Sequence, residues 1–245
     1  MLIICILGLA IGSFLNVCIY RMPKGQSVIS PPSQCTWCGK RLKFFDLIPI
    51  VSLILLHWRC RYCGEKISLR YITVEILTGL LFILCLSKFD YGFNFAFAII
   101  FVSFLIVISF IDYDHQLILD KILMWFSGTG LLINLFADYT DIINLIYGSL
   151  AGGGTLLLIS LLTQGGMGGG DIKFMAALGL WLGLKLTLLT LFLSFVIGGI
   201  GSLLLLAFKI KSRKDFIPFG PFIAVAAFIS MLYGNEIIAW YLNLL

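Results

Sequence analysis

Charged residues are scarce in this sequence: Asp, Glu, Lys and Arg make up 12% of its 245 residues, against about 25% in an average soluble domain. A soluble protein of this size could not bury the apolar surface that remains, and a disordered chain would carry far more charge. Proline and glycine, with 6 and 25 residues, are too few for collagen. Coiled coils and secreted disulfide scaffolds need compositions that this chain also lacks.

Apolar residues make up 60% of the chain, and the mean hydropathy of +1.07 indicates an integral membrane protein. A transmembrane helix needs about 20 mostly apolar residues. The sequence therefore predicts an all-α polytopic membrane protein with about eight transmembrane helices. The predicted spans are about 2–20, 71–87, 93–111, 121–137, 142–163, 172–184, 186–208 and 219–243.

The basic residues predict the orientation of these spans. Nine of the 17 Lys and Arg lie between Arg21 and Arg70, and loops rich in Lys and Arg stay in the cytoplasm. If this segment is cytoplasmic, both chain ends lie outside, and every basic residue except Lys88 and Lys185 falls on or beside a cytoplasmic loop. The net charge of +5 then reflects membrane topology and gives no reason to expect a nucleic-acid partner.

Four of the seven cysteines form two C-x2-C pairs in the segment 21–70, Cys35 with Cys38 and Cys60 with Cys63. Four thiolates can surround Zn²⁺ tetrahedrally, so the spacing predicts a structural zinc site. Two disulfides are the alternative, but a reducing cytoplasm and the neighbouring basic residues favour thiolates and a metal. Reduced cysteines without a metal are a further alternative, and His57 is a competing ligand.

Two acidic residues lie at predicted membrane boundaries. Asp112 ends the third span, and Asp171 begins the sixth span after five glycines around Met167. Ionisable groups at such positions indicate a function by default. Because two spans separate them, both residues would lie at the cytoplasmic face. The alternatives are a solvated residue at a helix end for Asp112 and an ordinary helix N-cap for Asp171.

Two carboxylates brought together cannot both ionise easily, which leaves one protonated acid and one carboxylate base. Such a pair can activate water against a peptide carbonyl and protonate the departing amine, as in aspartic proteases. The residues alone therefore predict a candidate two-carboxylate site. Asp114, His115 and Asp120 are expected to face solvent, and Glu75 is a separate buried acid that a basic loop residue could pair with.

Six motifs follow one another along nearly the whole chain. They are a first-span signature at 12–21, the two C-x2-C pairs with residues 48–52 between them, Arg70-Tyr71 with Val74-Glu75, the segments IDYDHQLILD at 111–120 and GMGGGDIKFMAALGLWLG at 166–183, and a last-span motif at 217–222. Together these motifs resemble the bacterial type IV prepilin peptidase family, which is also called the leader peptidase/N-methyltransferase family. Any one motif would be weak, whereas six in order are highly specific.

The resemblance implies that Asp112 and Asp171 are the catalytic pair of a Gly-x-Gly-Asp membrane aspartic protease, supported by Gly168, Gly170 and Lys173. It also implies that the four cysteines bind zinc. Family members cleave the short basic leader of prepilins and pseudopilins at the cytoplasmic face of the bacterial inner membrane. Many members then methylate the new N-terminal amine with S-adenosylmethionine as methyl donor.

By the same resemblance, residues 1–87 form an N-terminal region with the candidate methyltransferase part, and residues 88–245 form a six-span aspartic peptidase domain. The sequence contains no strand followed by a Gly-rich nucleotide loop, so the residues alone identify no cofactor site. The segment 21–70 with Glu75 is the candidate region for S-adenosylmethionine.

Two other functions fit parts of the pattern. One is a non-enzymatic, zinc-stabilised membrane assembly or transport component whose aspartates bind ions, although an ion path would more naturally place its acids near mid-span. The other is a protease of the same motif type that acts on archaeal preflagellins or signal-peptide remnants. The cysteine segment favours the bacterial prepilin branch over this second alternative.

Overall fold

A computed structural model describes residues 1–47, 55–137, 140–209, 212 and 216–244; the motif residues 48–52 lie outside this range. Within the described residues, seven α-helices have defined bounds, and no β-strand is present beyond two isolated bridges. The predicted all-α fold is confirmed. The helices are α1 Leu2–Arg21, α2 Leu69–Phe89, α3 Phe93–His115, α4 Asp120–Ala137, α5 Ile142–Leu162, α6 Gly169–Ala207 and α7 Gly220–Leu242.

Six of these helices, all except α4, are long and apolar enough to cross a membrane. Their apolar residues cover most of the helix surface, as contact with lipid requires. A helix can cross the membrane because it satisfies its backbone polar groups with its own hydrogen bonds. The four cysteines lie between α1 and α2, as predicted. The chain is therefore a multi-pass membrane protein, while the count of eight spans stays a prediction.

The longest helix, α6, is interrupted at Gly183, whose φ of 69° and ψ of 178° are not helical. Met175 and Thr187 both approach the same glycine of α5, Gly152. In a continuous helix these two residues would be about 18 Å apart along the axis. The chain therefore reverses direction at Gly183, and α6 is a hairpin of two helical halves, 169–182 and 184–207.

Specific polar contacts stabilise this reversal. The Leu184 backbone N–H, which has no helical acceptor at the break, donates to Asn144 Oδ1 of α5 at 3.0 Å. On the first half of α6, the Trp181 indole donates to the Phe126 carbonyl of α4 at 2.8 Å and stacks on the Phe126 ring. Asn134 of α4 donates to backbone carbonyls of the same turn, which fixes α4 against the first half of α6.

The chain divides into two compact units, a first unit of Met1–Val107 and a second unit of Ile108–Leu245. In the first unit, α1 and α2 cross closely where Gly8 and Gly12 face Gly79 and Glu75. Glycines four residues apart allow such close helix contact in membranes. The second unit contains α4 to α7 and the last turns of α3. The domain boundary expected between residues 87 and 88 stays a prediction.

Candidate active site

Asp112 and Asp171 are both buried in the second unit, with 5% and 7% of their surface exposed. Asp112 lies in the last turn of α3, and Asp171 lies in the first turn of α6. The two carboxylates are close enough to interact electrostatically. Buried carboxylates are costly in apolar surroundings. Asp112 is thus not a solvated helix end, and the N-cap of α6 is Gly168 rather than Asp171.

Asp112 also contacts the N-terminus of α7. The Gly220 backbone N–H donates to Asp112 Oδ2 at 2.9 Å, although 108 residues separate the two. A Cβ atom at Gly220 would lie 2.6 Å from the same oxygen, so only glycine leaves room for this contact. The first N–H groups of a helix have no partner within the helix and carry partial positive charge, which suits a carboxylate.

The glycines of the Gly-x-Gly-Asp motif differ in their surroundings. A Cβ atom at Gly168 would lie 2.8 Å from Asp171 Oδ2, and a Cβ atom at Gly170 would lie 3.0 Å from the Cβ of Ile118. Nothing lies within 4 Å of the same position at Gly169. Gly168 and Gly170 therefore leave space for the Asp171 side chain and for the loop after α3. Asp171 Oδ1 is buried and has no hydrogen-bond partner.

An ion pair joins the two aspartate motifs at the surface. Lys173 Nζ lies 2.7 and 2.9 Å from the two carboxylate oxygens of Asp120. Both side chains are exposed, so the pair positions the loop rather than entering the buried site. Asp114 and His115 are exposed, as expected.

Sequence reasoning gave no role to Gly220, which the last-span motif contains. Its contact with Asp112 depends on how α3 and α7 meet, and no local pattern in the sequence reports this. The glycine followed by proline at the start of an apolar run was the only available signal, because it marks a helix start.

The four cysteines that the sequence predicts as zinc ligands form a cluster in the first unit. Their Sγ atoms all lie within 4.8 Å of one another, and the Sγ atoms of Cys35 and Cys63 are 3.8 Å apart. A tetrahedral zinc site with Zn–S bonds of about 2.3 Å places sulfur atoms about 3.8 Å apart. The donor set and its spacing therefore fit a metal ion. His57 is not part of this cluster.

The two C-x2-C turns have the same backbone structure, 25 residues apart. The Cys35 N–H donates to the Lys40 carbonyl and the Gly39 N–H donates to the Cys35 carbonyl. The second turn repeats both bonds at Cys60, Gly64 and Glu65. Each turn thus presents two thiols to one point without a supporting strand.

The close thiols disfavour one another's ionisation. A backbone hydrogen bond at Glu65 lowers the pKa of the Cys63 thiol, whereas desolvation and the three other thiols raise that pKa, to about 12 overall. A bound divalent cation would reverse this effect, because it stabilises thiolates. The cluster therefore suits a cation better than four free thiols.

Among the described residues of the first unit, four polar residues are buried: Asn16, Arg21, Glu75 and Thr78. Arg21 donates to the carbonyls of Ser27, Pro31 and Pro32 and so holds the start of the cysteine segment on α1. Asn16 donates to the Tyr71 carbonyl at 2.9 Å and joins α1 to α2. The roles of Asn16 and Arg21 were not anticipated from residue type, although both lie in the first-span motif.

Two family models match this chain. The bacterial peptidase A24 N-terminal domain matches residues 6–89, and the type IV leader peptidase family matches residues 99–203. No solved structure matches the chain.

Several curated proteins are similar over almost their whole length. A prepilin leader peptidase/N-methyltransferase of Pseudomonas putida is 33% identical over 98% of this chain and 93% of its own. A protein of the same name from Bacillus subtilis (strain 168) is 34% identical over 99% of this chain and 98% of its own. A third protein of that name, from Aeromonas salmonicida (strain A449), is 33% identical over 98% of this chain and 93% of its own.

Proposed function

Because the chain belongs to the type IV leader peptidase family, we propose that it removes the short basic leader from type IV prepilins or pseudopilins and then methylates the new N-terminal residue. The relatives are named for both activities. The enzyme class follows from the family: a membrane protease with methyltransferase activity. The substrate, the reacting residues and the side of the membrane are the parts that we propose.

The burial of Asp112 and Asp171 in one unit is the observation that carries the peptidase assignment. We assign the two carboxylates as a pair that shares one proton. The ionised member removes a proton from water as the water attacks the scissile carbonyl. The protonated member donates its proton to the departing amine. The Gly220 N–H orients Asp112 for this reaction without contacting the substrate.

We base the proposed orientation of the protein on its charges. With the cysteine segment in the cytoplasm, Asp112 and Asp171 lie at the cytoplasmic face of the bacterial inner membrane, and the remaining loops obey the positive-inside rule. A basic leader also stays on that side of the membrane. The scissile bond would therefore arrive where the two aspartates lie.

The four cysteines are assigned as ligands of one structural zinc ion. A site with four thiolates has no open coordination position, so the metal would stabilise the segment 21–70 and would take no part in cleavage. The region 1–87 with Glu75 is assigned to methyl transfer from S-adenosylmethionine, and residues 88–245 are assigned to cleavage.

Incubation with a prepilin-like substrate and S-adenosylmethionine, followed by mass spectrometry, tests this function. We expect the leader to be released intact and the shortened product to gain one methyl group, about 14 Da. Cleavage without the added mass would remove the methyltransferase assignment. Failure to cleave any prepilin-like substrate would favour a zinc-stabilised assembly or transport component instead.

A further inference from the structure

The first turn of α7 is capped by a residue of another helix. Phe219, which directly precedes α7, has no side-chain group that could cap it. Pro221 has no backbone N–H, and the Phe222 N–H donates to the Phe219 carbonyl at 3.0 Å. The Gly220 N–H donates instead to Asp112 Oδ2. The position of this carboxylate oxygen is therefore tied to the position of the first residue of α7.

Contacts at two glycines show how α7 lies on the second half of α6. A Cβ atom at Gly198 of α6 would lie 3.0 Å from the ring of Phe219, at the start of α7. A Cβ atom at Gly234, further along α7, would lie 2.5 Å from Cδ2 of Leu186. Residue numbers thus rise along α7 while they fall along α6, so the two helices are antiparallel. Packing near Gly198 determines where α7 begins.

Two phenylalanine rings at the start of α7 lie against glycines of α6. The Phe219 ring covers Gly198, and a Cβ atom at Gly201 would lie 2.6 Å from Cε1 of Phe222. The Phe219 ring also packs against Phe195 of α6, with ring centroids 5.5 Å apart. These contacts hold the first turn of α7 at a distance from α6 that one added methyl group would change.

The glycines of this part of α6 are not equivalent. A Cβ atom at Gly199 would meet nothing within 4 Å, whereas Gly198 and Gly201 face the two rings. Glycine weakens a helix relative to alanine. At positions 198 and 201 this weakness is offset by the close approach of the phenylalanines.

We infer that Phe219 and Phe222 are positioning residues for leader cleavage, an inference that rests on the proposed peptidase function. Their rings lie on two glycines of α6 and so hold the Gly220 N–H where it orients Asp112. They act through Gly220 and not on the substrate. A shift near 1 Å at a reacting group changes rates about 100-fold, so a small displacement of α7 is enough to slow cleavage.

Gly201→Ala tests this role in the full-length protein, with a prepilin-like substrate. The new methyl group would lie 2.6 Å from the Phe222 ring, so the ring must move and the start of α7 moves with it. We expect kcat for leader cleavage to fall about tenfold and KM to stay within about twofold of wild type. Gly199→Ala, which adds the same methyl group in open space, is the matched control and should keep the wild-type kcat.

Two further measurements separate positioning from a general loss of structure. Gly201→Ala combined with Phe222→Leu restores the total side-chain volume at the contact, so kcat should recover to within about threefold of wild type. Hydrogen–deuterium exchange of the amides at the start of α7 should be faster in Gly201→Ala than in Gly199→Ala.

Phe219→Leu tests the other ring without adding an atom to the protein, and it therefore applies even if Gly201→Ala does not fold. Leucine cannot cover both Gly198 and Phe195, so kcat should again fall about tenfold with KM unchanged. Phe192→Leu, at an exposed phenylalanine of the same half of α6, is the control and should behave as wild type.

Each other outcome has one meaning. Wild-type kcat in a folded Gly201→Ala or Phe219→Leu variant refutes the positioning role and leaves the peptidase assignment intact. A loss of kcat that Phe222→Leu does not recover, or unchanged amide exchange at the start of α7, refutes the role as well. Failure of wild type to cleave any prepilin-like substrate refutes the proposed function, and the positioning role with it.

Discussion

At the scale of single residues, the candidate site depends on three glycines whose lack of a side chain leaves room for neighbouring groups. Gly168, Gly170 and Gly220 each lie where a side chain would meet another part of the site, whereas Gly169 and Gly199 face open space. The sequence shows all of these residues as glycines and does not distinguish them. Only the packing of α3, α6 and α7 shows at which of these glycines a Cβ atom would not fit.

The first prediction concerns the three glycines before Asp171. Gly168→Ala and Gly170→Ala should each lower the rate of leader cleavage about 100-fold, because shifts near 1 Å at reacting groups have effects of this size. Gly169→Ala should retain cleavage, since its new Cβ meets nothing within 4 Å. Single-turnover cleavage of one substrate by the three variants measures this. Equal activity of all three would refute the close packing.

The second prediction concerns the support of Asp112. Gly220→Ala places a Cβ atom 2.6 Å from Asp112 Oδ2, so the carboxylate must move and its hydrogen bond is lost. We expect kcat to fall about 100-fold while the protein still inserts into membranes. Gly199→Ala, with open space at its Cβ position, is the control and should behave as wild type. A Gly220→Ala variant with normal kcat would exclude a positioning role.

At the scale of elements, apolar runs predicted the helices well, because lipid exposure makes each helix apolar on most sides. Near 185 the sequence predicted a short gap between two spans, and the chain does reverse at Gly183. The four-cysteine cluster was predicted from spacing alone, since both turns are local structures. By contrast, the contact between Gly220 and Asp112 joins distant elements, and no local pattern encodes it.

The third prediction concerns the cysteine segment. Wild-type protein should contain about one zinc per chain, and Cys35→Ser with Cys60→Ser should reduce this to near zero and lower the thermal stability. Losing one ligand from each turn leaves only two thiolates, too few for a closed site. Elemental analysis of purified protein measures the metal. Cys5→Ser, in α1 and away from the cluster, is the control; unchanged zinc in the double variant would refute the site.

At the scale of the whole molecule, charge and apolar length determine how the chain crosses the membrane. A hairpin in α6 returns the chain to the side from which it came, whereas a continuous α6 would deliver it to the other side. If α4 also crosses the membrane, as the predicted eight spans require, the hairpin keeps the basic residues around 209 on the side where Arg21 to Arg70 are predicted to lie.

The fourth prediction therefore concerns the C-terminus. Alkaline phosphatase, which is active only outside the cytoplasm, should be active when fused after residue 245 and inactive when fused after Gln164. Green fluorescent protein at the same positions should give the opposite pattern. Phosphatase activity at Gln164, or its absence at the C-terminus, would contradict the orientation that we propose.

The two aspartates are the centre of this account, and their direct test is cleavage of a prepilin-like substrate by Asp112→Asn and Asp171→Asn. Asparagine keeps the volume of the side chain but cannot exchange a proton, so both variants should insert normally and lose cleavage by at least about 1,000-fold. Asp114→Asn, an exposed residue of the same motif, should cleave as wild type. Cleavage at the wild-type rate by either Asp112→Asn or Asp171→Asn would place the reacting groups elsewhere.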